Sequence, residues 1–298
     1  MEYNFSCCSI CPRSCMIDRT KKIGKCNAGS AIRIAKAFIH KWEEPCISGT
    51  KGSGTIFFSG CNLKCVFCQN YKISQDNFGK ELSHEELQQI ILNLQQKGAH
   101  NINFVSPSHY TMSIMECLKD LGSSLRIPVV YNSNGYDSLS GLKLLDGLVN
   151  VYLPDIKYFK NESSLKYSDA KDYFNTASAA VLEMYRQTGR AQFNEEGIMQ
   201  KGLIIRHLVL PGMTGESIKI LEFIKSNLPS DDIVVSIMSQ YTPFYHSYLY
   251  PEIDRRIIRK EYEKVLNYFL KLDFANGYFQ ERDSADSKYV PDFDLEGI

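Results

Sequence analysis

The sequence predicts an α/β fold, a parallel sheet covered by helices, and two observations carry that expectation. Short apolar runs rich in β-branched and aromatic residues recur along the chain and alternate with amphipathic helical stripes. The loop GCNLKCVFCQN, Gly60 to Asn70, directly follows the first such run after the N-terminal segment. In parallel α/β folds, function gathers at the carboxyl ends of the strands.

The first predicted strand is TIFFS, Thr55 to Ser59. NINFVS, IPVVYN, VNVYLPDIK, LIIRHLVL and IVVSIM follow, with NGYFQE near the end as one more. A helix from Ser83 to Gly98 is opened by a Ser83–Glu86 capping box and faces the core through Leu87, Ile90, Ile91 and Leu94. Ile114, Met115 and Leu118 mark the next helix, Ile220, Phe223 and Ile224 a later one. Ile258, Tyr262, Val265, Leu266 and Phe269 mark the last. The span Phe159 to Gly202 reads as an elaborated crossover, with a helix around Tyr173 to Gln187 and a turn at NEEG. About six such units form either an incomplete barrel or an open doubly wound sheet, and periodicity alone does not choose.

The chain has 298 residues, 44% hydrophobic and 23% charged, which suits one large domain with an appendage. Residues 1–54 form a cysteine-rich N-terminal module and 55–298 the main domain. A formal net charge of zero gives no broad attraction to nucleic acid or an anionic membrane. The polar start MEYNFSCCSICPRSC is no secretory signal, and no apolar run approaches the ~20 residues of a membrane helix. A cytoplasmic protein is expected. In that reducing compartment the ten cysteines point to metal sites or reactive thiols rather than disulfides.

Cys61, Cys65 and Cys68 are spaced C-x₃-C-x₂-C. Four thiolates complete a zinc site or a fully ligated [4Fe–4S] cluster, so three leave one iron open to a chelating molecule such as an amino acid. A zinc knuckle that borrows Cys46 or Cys26 is the competing reading.

The pattern CNLKCVFC resembles the signature of the radical S-adenosylmethionine family. That resemblance implies a [4Fe–4S] cluster and S-adenosylmethionine (SAM), bound at the open iron and cleaved to a 5′-deoxyadenosyl radical that removes hydrogen from a substrate. It places Phe67 near the adenine. CPRSCMIDR, HKWEEPCISGTKGSGTIFFSGCNLKCVFCQNYKIS, LPDIK and IRHLVLPG resemble pyruvate formate-lyase-activating-enzyme-like proteins, relatives of glycyl-radical-enzyme activases. The implied fold is an incomplete (β/α)6 TIM-like barrel with a short cysteine-rich N-terminal extension. The implied partners are a glycyl radical enzyme or a peptide substrate, and an electron donor such as flavodoxin or ferredoxin. YNSNG nominates Ser133 and Asn134 for the cofactor, LPDIK nominates Asp155 and Lys157, and IRHLVLPG nominates Arg206, a bidentate partner for a carboxylate. Asn132 stands where activases carry an aspartate. SPSHY replaces their G-G-E-like segment, so Ser106, Ser108 and His109 are offered as its hydrogen-bonding substitutes.

Cys8, Cys11, Cys15 and Cys26 have the density of a second metal site, zinc or iron–sulfur. Their spacing is not the ferredoxin pattern. Three functions compete: activation of a partner enzyme, modification of a small molecule or peptide, and a non-enzymatic zinc-binding interaction protein.

Overall fold

The computed structural model describes residues 5–280 and 291–298. Among the described residues ten strands make one sheet: β1 (Ile32–His40), β2 (Ser53–Phe58), β3 (Lys80–Leu82), β4 (Ile102–Val105), β5 (Val129–Ser133), β6 (Val151–Pro154), β7 (Gln192–Phe193), β8 (Met199–Leu208), β9 (Val234–Met238) and β10 (Gly277–Phe279). The helices are α1 (Pro45–Ser48), α2 (Tyr71–Ser74), α3 (His84–Gln96), α4 (Thr111–Leu121), α5 (Leu139–Lys143), α6 (Asn161–Ser168), α7 (Tyr173–Thr188), α8 (Thr214–Asn227) and α9 (Arg259–Lys271). The sheet runs β10-β9-β8-β6-β5-β4-β2-β1-β3, with β7 folded back on β8. From β2 to β10 along that path every pairing is parallel. Among the described residues the path does not close on itself, which agrees with the partial barrel expected.

Physical causes are local and readable. β2, β5 and β6 are buried along their whole length, so their residues are apolar or small without alternation. The capping box of α3 forms as expected: the Glu86 amide donates to Ser83 Oγ at 3.2 Å, and the Ser83 amide donates to Glu86 Oε2 at 2.7 Å. Leu87, Ile90, Ile91 and Leu94 are its buried face.

β1 departs from the expectation. It pairs antiparallel with β2 and β3, so residues 32–40 belong to the sheet and not to a separate module. Beyond β3, the chain's last residues cover the outer edge of β1. The Leu295 amide donates to the Ala35 carbonyl at 3.2 Å and the Ala37 amide to the Glu296 carbonyl at 2.9 Å. Lys36 pairs with Asp294 and Glu296. An uncovered strand edge is a template for association, and this tail occupies it.

The β1–β2 connection closes the barrel's amino-terminal end. α1 opens on Pro45, whose missing N–H is no loss at a first helical position. Cys46 and Ile47 bury among Val130, Val151, Leu153, Met199, Ile204 and Val234. Asn101 fixes the plug by donating to the Ile47 carbonyl at 2.8 Å. Glu43 and Glu44 precede it and enter the barrel interior.

Candidate functional site

The three-cysteine loop leaves β2 through Gly60, at φ +84°. A Cβ there would lie 2.4 Å from the Cys26 carbonyl oxygen, so only glycine fits. Asn62 Nδ2 ties the loop to the Tyr136 carbonyl at 2.6 Å, and Asn134 Nδ2 donates to Asn62 Oδ1 at 2.8 Å. Amides of Lys64 and Val66 donate to the Ser168 and Tyr167 carbonyls at 3.0 and 2.9 Å. Polar groups already face all three sulfurs, Cys68 Sγ lying 3.2 Å from Ser74 Oγ. Asn134 Nδ2 lies 3.3 Å and the Leu63 amide 3.4 Å from Cys61 Sγ, and Ser168 Oγ lies 3.0 Å from Cys65 Sγ.

Burial pushes the thiols of Cys61, Cys65 and Cys68 up to about 11 each, with neighbouring thiols adding to the rise. Neutral thiols need not crowd together, and among the described residues no three His, Cys, Asp or Glu side chains are gathered to grip an ion. A bound metal reverses that balance, because its charge stabilises thiolates. Donors aimed at sulfur and a dry setting fit a cluster held by these three residues.

Below the loop is a cavity of about 670 Å³, within the usual range of small-molecule sites. Phe67, Ser106, Ser133, Asn134, Asp155, Lys157 and Arg206 all line it, as do the three cysteines. Ser108 does not. Ser106 takes a left-handed turn at φ +56°, and the chain then enters α4 with Ser108 buried behind the wall. His109 is likewise packing: its Nε2 meets the Ser59 carbonyl at 2.8 Å, and burial drops its pKa to about 3. His207 bridges the Ile156 carbonyl and Ser217 Oγ and is held down to about 4 by burial.

Arg206 is the electrostatic centre. Its Nε donates to Asp155 Oδ1 at 2.8 Å, Nη2 to Asn132 Oδ1 at 2.5 Å and Nη1 to Glu43 Oε2 at 3.2 Å. Lys157 Nζ holds the other Asp155 oxygen. Burial pushes Asp155 up, but Arg206 and Lys157 outweigh it and leave the carboxyl below its ordinary range. Glu43 is held up by burial, which Arg206 only partly offsets.

Three contributors were missed by reasoning from sequence. Glu43 and Glu44 sit in a surface-like WEEP string, and only the plug buries them. Tyr173, opening α7, joins two strand ends: its hydroxyl donates to the Asn134 carbonyl at 2.8 Å or the Asp155 carbonyl at 3.0 Å and accepts from the Lys157 amide at 3.1 Å. Gly135 makes that junction fit, since at φ +77° a Cβ would lie 2.1 Å from the Asp155 carbonyl oxygen.

The N-terminal segment docks on the cysteine loop. Arg13 Nε donates to the Asn62 carbonyl at 2.6 Å and Nη1 reaches Asp169 Oδ2 at 3.1 Å. The Cys61 amide donates to the Cys26 carbonyl at 3.0 Å. Cys8, Cys11 and Cys26 are buried and Cys15 is half-buried. Burial raises Cys11 to about 12, and Cys26, Cys8 and Cys15 each add to it, so the four thiols feel one another.

A three-thiol loop over a charged barrel interior defines a cofactor-dependent enzyme of the partial-barrel class. Residues 55–224 match the model of the Radical SAM superfamily, and the chain belongs to that superfamily. The uncharacterized protein MJ0674 of Methanocaldococcus jannaschii is 36% identical over 272 residues, 88% of this chain and 74% of that protein. Among solved structures, Streptococcus suis SuiB shares the fold at TM-score 0.52 and 14% identity, over 75% of this chain and 47% of that one. SuiB bound to S-adenosylmethionine superposes at TM-score 0.51, over 74% of this chain and 48% of that one, with 14% identity. This chain therefore spans about half the length of SuiB. The protein is a radical SAM enzyme whose cofactors are a [4Fe–4S] cluster and SAM. When bound and reduced, that pair supplies a 5′-deoxyadenosyl radical, a hydrogen abstractor. Among the described residues no helix is long and apolar enough to cross a membrane.

Proposed function

We propose that Cys61, Cys65 and Cys68 hold the cluster, that Lys157 and Arg206 orient SAM through its carboxylate, and that the hydrogen donor is a small polar molecule inside the barrel. One observation carries the last point. The cavity runs from the cysteines down to a charged floor at Glu43 and Glu44. A floor of buried ionic groups is costly to maintain and suits a charged ligand. The test is anaerobic assay of the reconstituted protein with SAM and reductant against small-metabolite fractions. Catalytic release of 5′-deoxyadenosine driven by a small molecule is expected. Release that follows only a macromolecular fraction overturns the reading.

Activation of a glycyl radical enzyme is the second reading, supported by the activase-like LPDIK and IRHLVLPG segments and by a sheet that, among the described residues, does not pair β10 with β3. A glycyl radical signal on an added partner enzyme would establish it instead. Either reaction draws electrons from a donor such as flavodoxin or ferredoxin and suits an oxygen-poor cytoplasm.

Cys8, Cys11, Cys15 and Cys26 we assign to a second metal site, zinc or iron–sulfur, stapling the N-terminal segment to the cluster loop. Burial raises the thiols of Cys11 and Cys26, and a bound cation would stabilise their thiolates. Metal analysis of a variant lacking Cys61, Cys65 and Cys68 is expected to retain about one zinc or one iron–sulfur centre per chain. A metal-free variant removes the assignment.

A further inference from the structure

Arg13 carries the N-terminal segment into the cluster loop. Its side chain is 7% exposed, although its acidic partner Asp169 is 59% exposed. Four of its five N–H donors are used. Nε donates to the Asn62 carbonyl at 2.6 Å, Nη1 to the Asp169 carbonyl and to Asp169 Oδ2 at 3.1 Å, and Nη2 to the Ser168 carbonyl at 3.4 Å. A buried cation held mainly by neutral carbonyls is costly. Docking the segment does not depend on it. Ser138 Oγ donates to the Ile10 carbonyl at 2.7 Å, Arg19 Nη1 to the His109 carbonyl at 2.6 Å and the Cys61 amide to the Cys26 carbonyl at 3.0 Å. Its targets set Arg13 apart. Asn62 Oδ1 accepts from Asn134 Nδ2, which also lies 3.3 Å from Cys61 Sγ. Ser168 Oγ lies 3.0 Å from Cys65 Sγ. Asp169 follows Ser168 and, at φ +48°, is the left-handed cap of α6. One guanidinium therefore grips the backbone of both residues through which hydrogen bonds reach these two sulfurs.

We propose that Arg13 is a positioning residue for the cluster: it holds Asn62 and Ser168 so that Asn134 and Ser168 keep their hydrogen bonds on Cys61 and Cys65. The inference rests on the reading that these thiolates, with Cys68, hold the cluster. Hydrogen bonds to the sulfurs of an iron–sulfur centre stabilise its more negative, reduced state and so help to set its reduction potential. The geometry calls for arginine. A planar fork spans the loop carbonyl and the carbonyls at the end of α6, whereas a lysine ammonium is a point charge without that span. The last carbonyls of a helix also favour a cation beside them. A tight turn presents the side chain: the Ser14 amide donates to the Cys11 carbonyl at 3.0 Å and the Met16 amide to the Cys8 carbonyl at 2.9 Å. Cys11 and Cys15, each two residues from Arg13, belong to the proposed second metal site. The folding of the N-terminal segment is thereby felt at the cluster.

The test uses the anaerobically reconstituted full chain in a redox titration, read by the SAM-responsive paramagnetic signal. Arg13→Ala is expected to keep its cluster, to titrate at a more negative midpoint than the wild type and to show shifted g-values. Its release of 5′-deoxyadenosine is expected to be about ten- to a hundredfold slower, the usual cost of losing an outer-shell partner. Arg13→Lys is expected to shift the same way by less, and it carries the test if the alanine variant does not fold. Millimolar guanidinium, entering the space Arg13 leaves, is expected to return the Arg13→Ala signal towards that of the wild type and to leave the wild type unchanged. In a variant carrying both Asn134→Ala and Ser168→Ala the two sulfur-facing donors are gone, and adding Arg13→Ala should shift the midpoint no further. A purely structural Arg13 would lower the melting temperature and leave midpoint and g-values in place, and that result overturns the inference. So does a full further shift in the background without the Asn134 and Ser168 donors, which would make the effect one of charge alone. A wild type with no SAM-responsive signal refutes the three-cysteine assignment beneath the inference, whereas a wild-type signal unmoved in every Arg13 variant refutes the role of Arg13 alone.

Discussion

Alanine in place of Cys61, Cys65 or Cys68, one at a time, is expected to abolish reductive cleavage of SAM. Cys61 and Cys65 are buried and Cys68 half-buried at the cavity roof, and a cubane with one thiolate per iron has no spare ligand among three. Loss of one thiolate leaves a second iron without its protein anchor. Deoxyadenosine and methionine release by the anaerobically reconstituted variants should fall by about three orders of magnitude or more, a barrier change of roughly 4 kcal/mol. Iron content read alongside distinguishes loss of the cluster from its retention in an inert form. A triple variant that keeps full cleavage removes the assignment.

Arg206→Met is the second large effect, and it falls on stability as well as activity. The guanidinium is 15% exposed and its partners Glu43 and Asp155 are 10% and 11% exposed. Removing it strands buried carboxylates, which typically costs about 3–5 kcal/mol. Urea denaturation should show a loss of that size, and adding Glu43→Gln should restore part of it by removing one stranded charge. The pH dependence follows from Asp155, whose folded pKa is depressed. Its pairing contributes stability that is fully present above the unfolded value of about 3.9 and is lost as pH falls through the lower folded value. With Arg206 gone the depression shrinks, so that contribution to acid stability diminishes. An unchanged unfolding midpoint contradicts the hub.

Most of the parallel strands were legible because each is a short apolar run, buried along most or all of its length, that needs no partner information to be recognised. β1 was not. IRIAKAFIH lies among the cysteines, carries Arg33 and Lys36, and becomes a strand only through antiparallel pairing with β2 and β3. Asp155, Lys157 and Arg206 were found because each closes a recognisable strand. Glu43 and Glu44 were not, since paired glutamates beside a tryptophan and a proline read as solvated. Their burial comes from Ile47 and Cys46 packing across the barrel's end, a contact between segments far apart in sequence. Ser108 failed for the opposite reason: one left-handed residue, Ser106, turns the following backbone away from the cavity.

The central claim is that three thiolates leave one iron for SAM. Low-temperature electron paramagnetic resonance of the anaerobically reconstituted, dithionite-reduced protein tests it most directly. A reduced [4Fe–4S] signal should appear, vanish in the Cys61, Cys65, Cys68 triple variant, and change its g-values when SAM is added. A signal indifferent to SAM, or one that survives unchanged in the triple variant, would contradict the account.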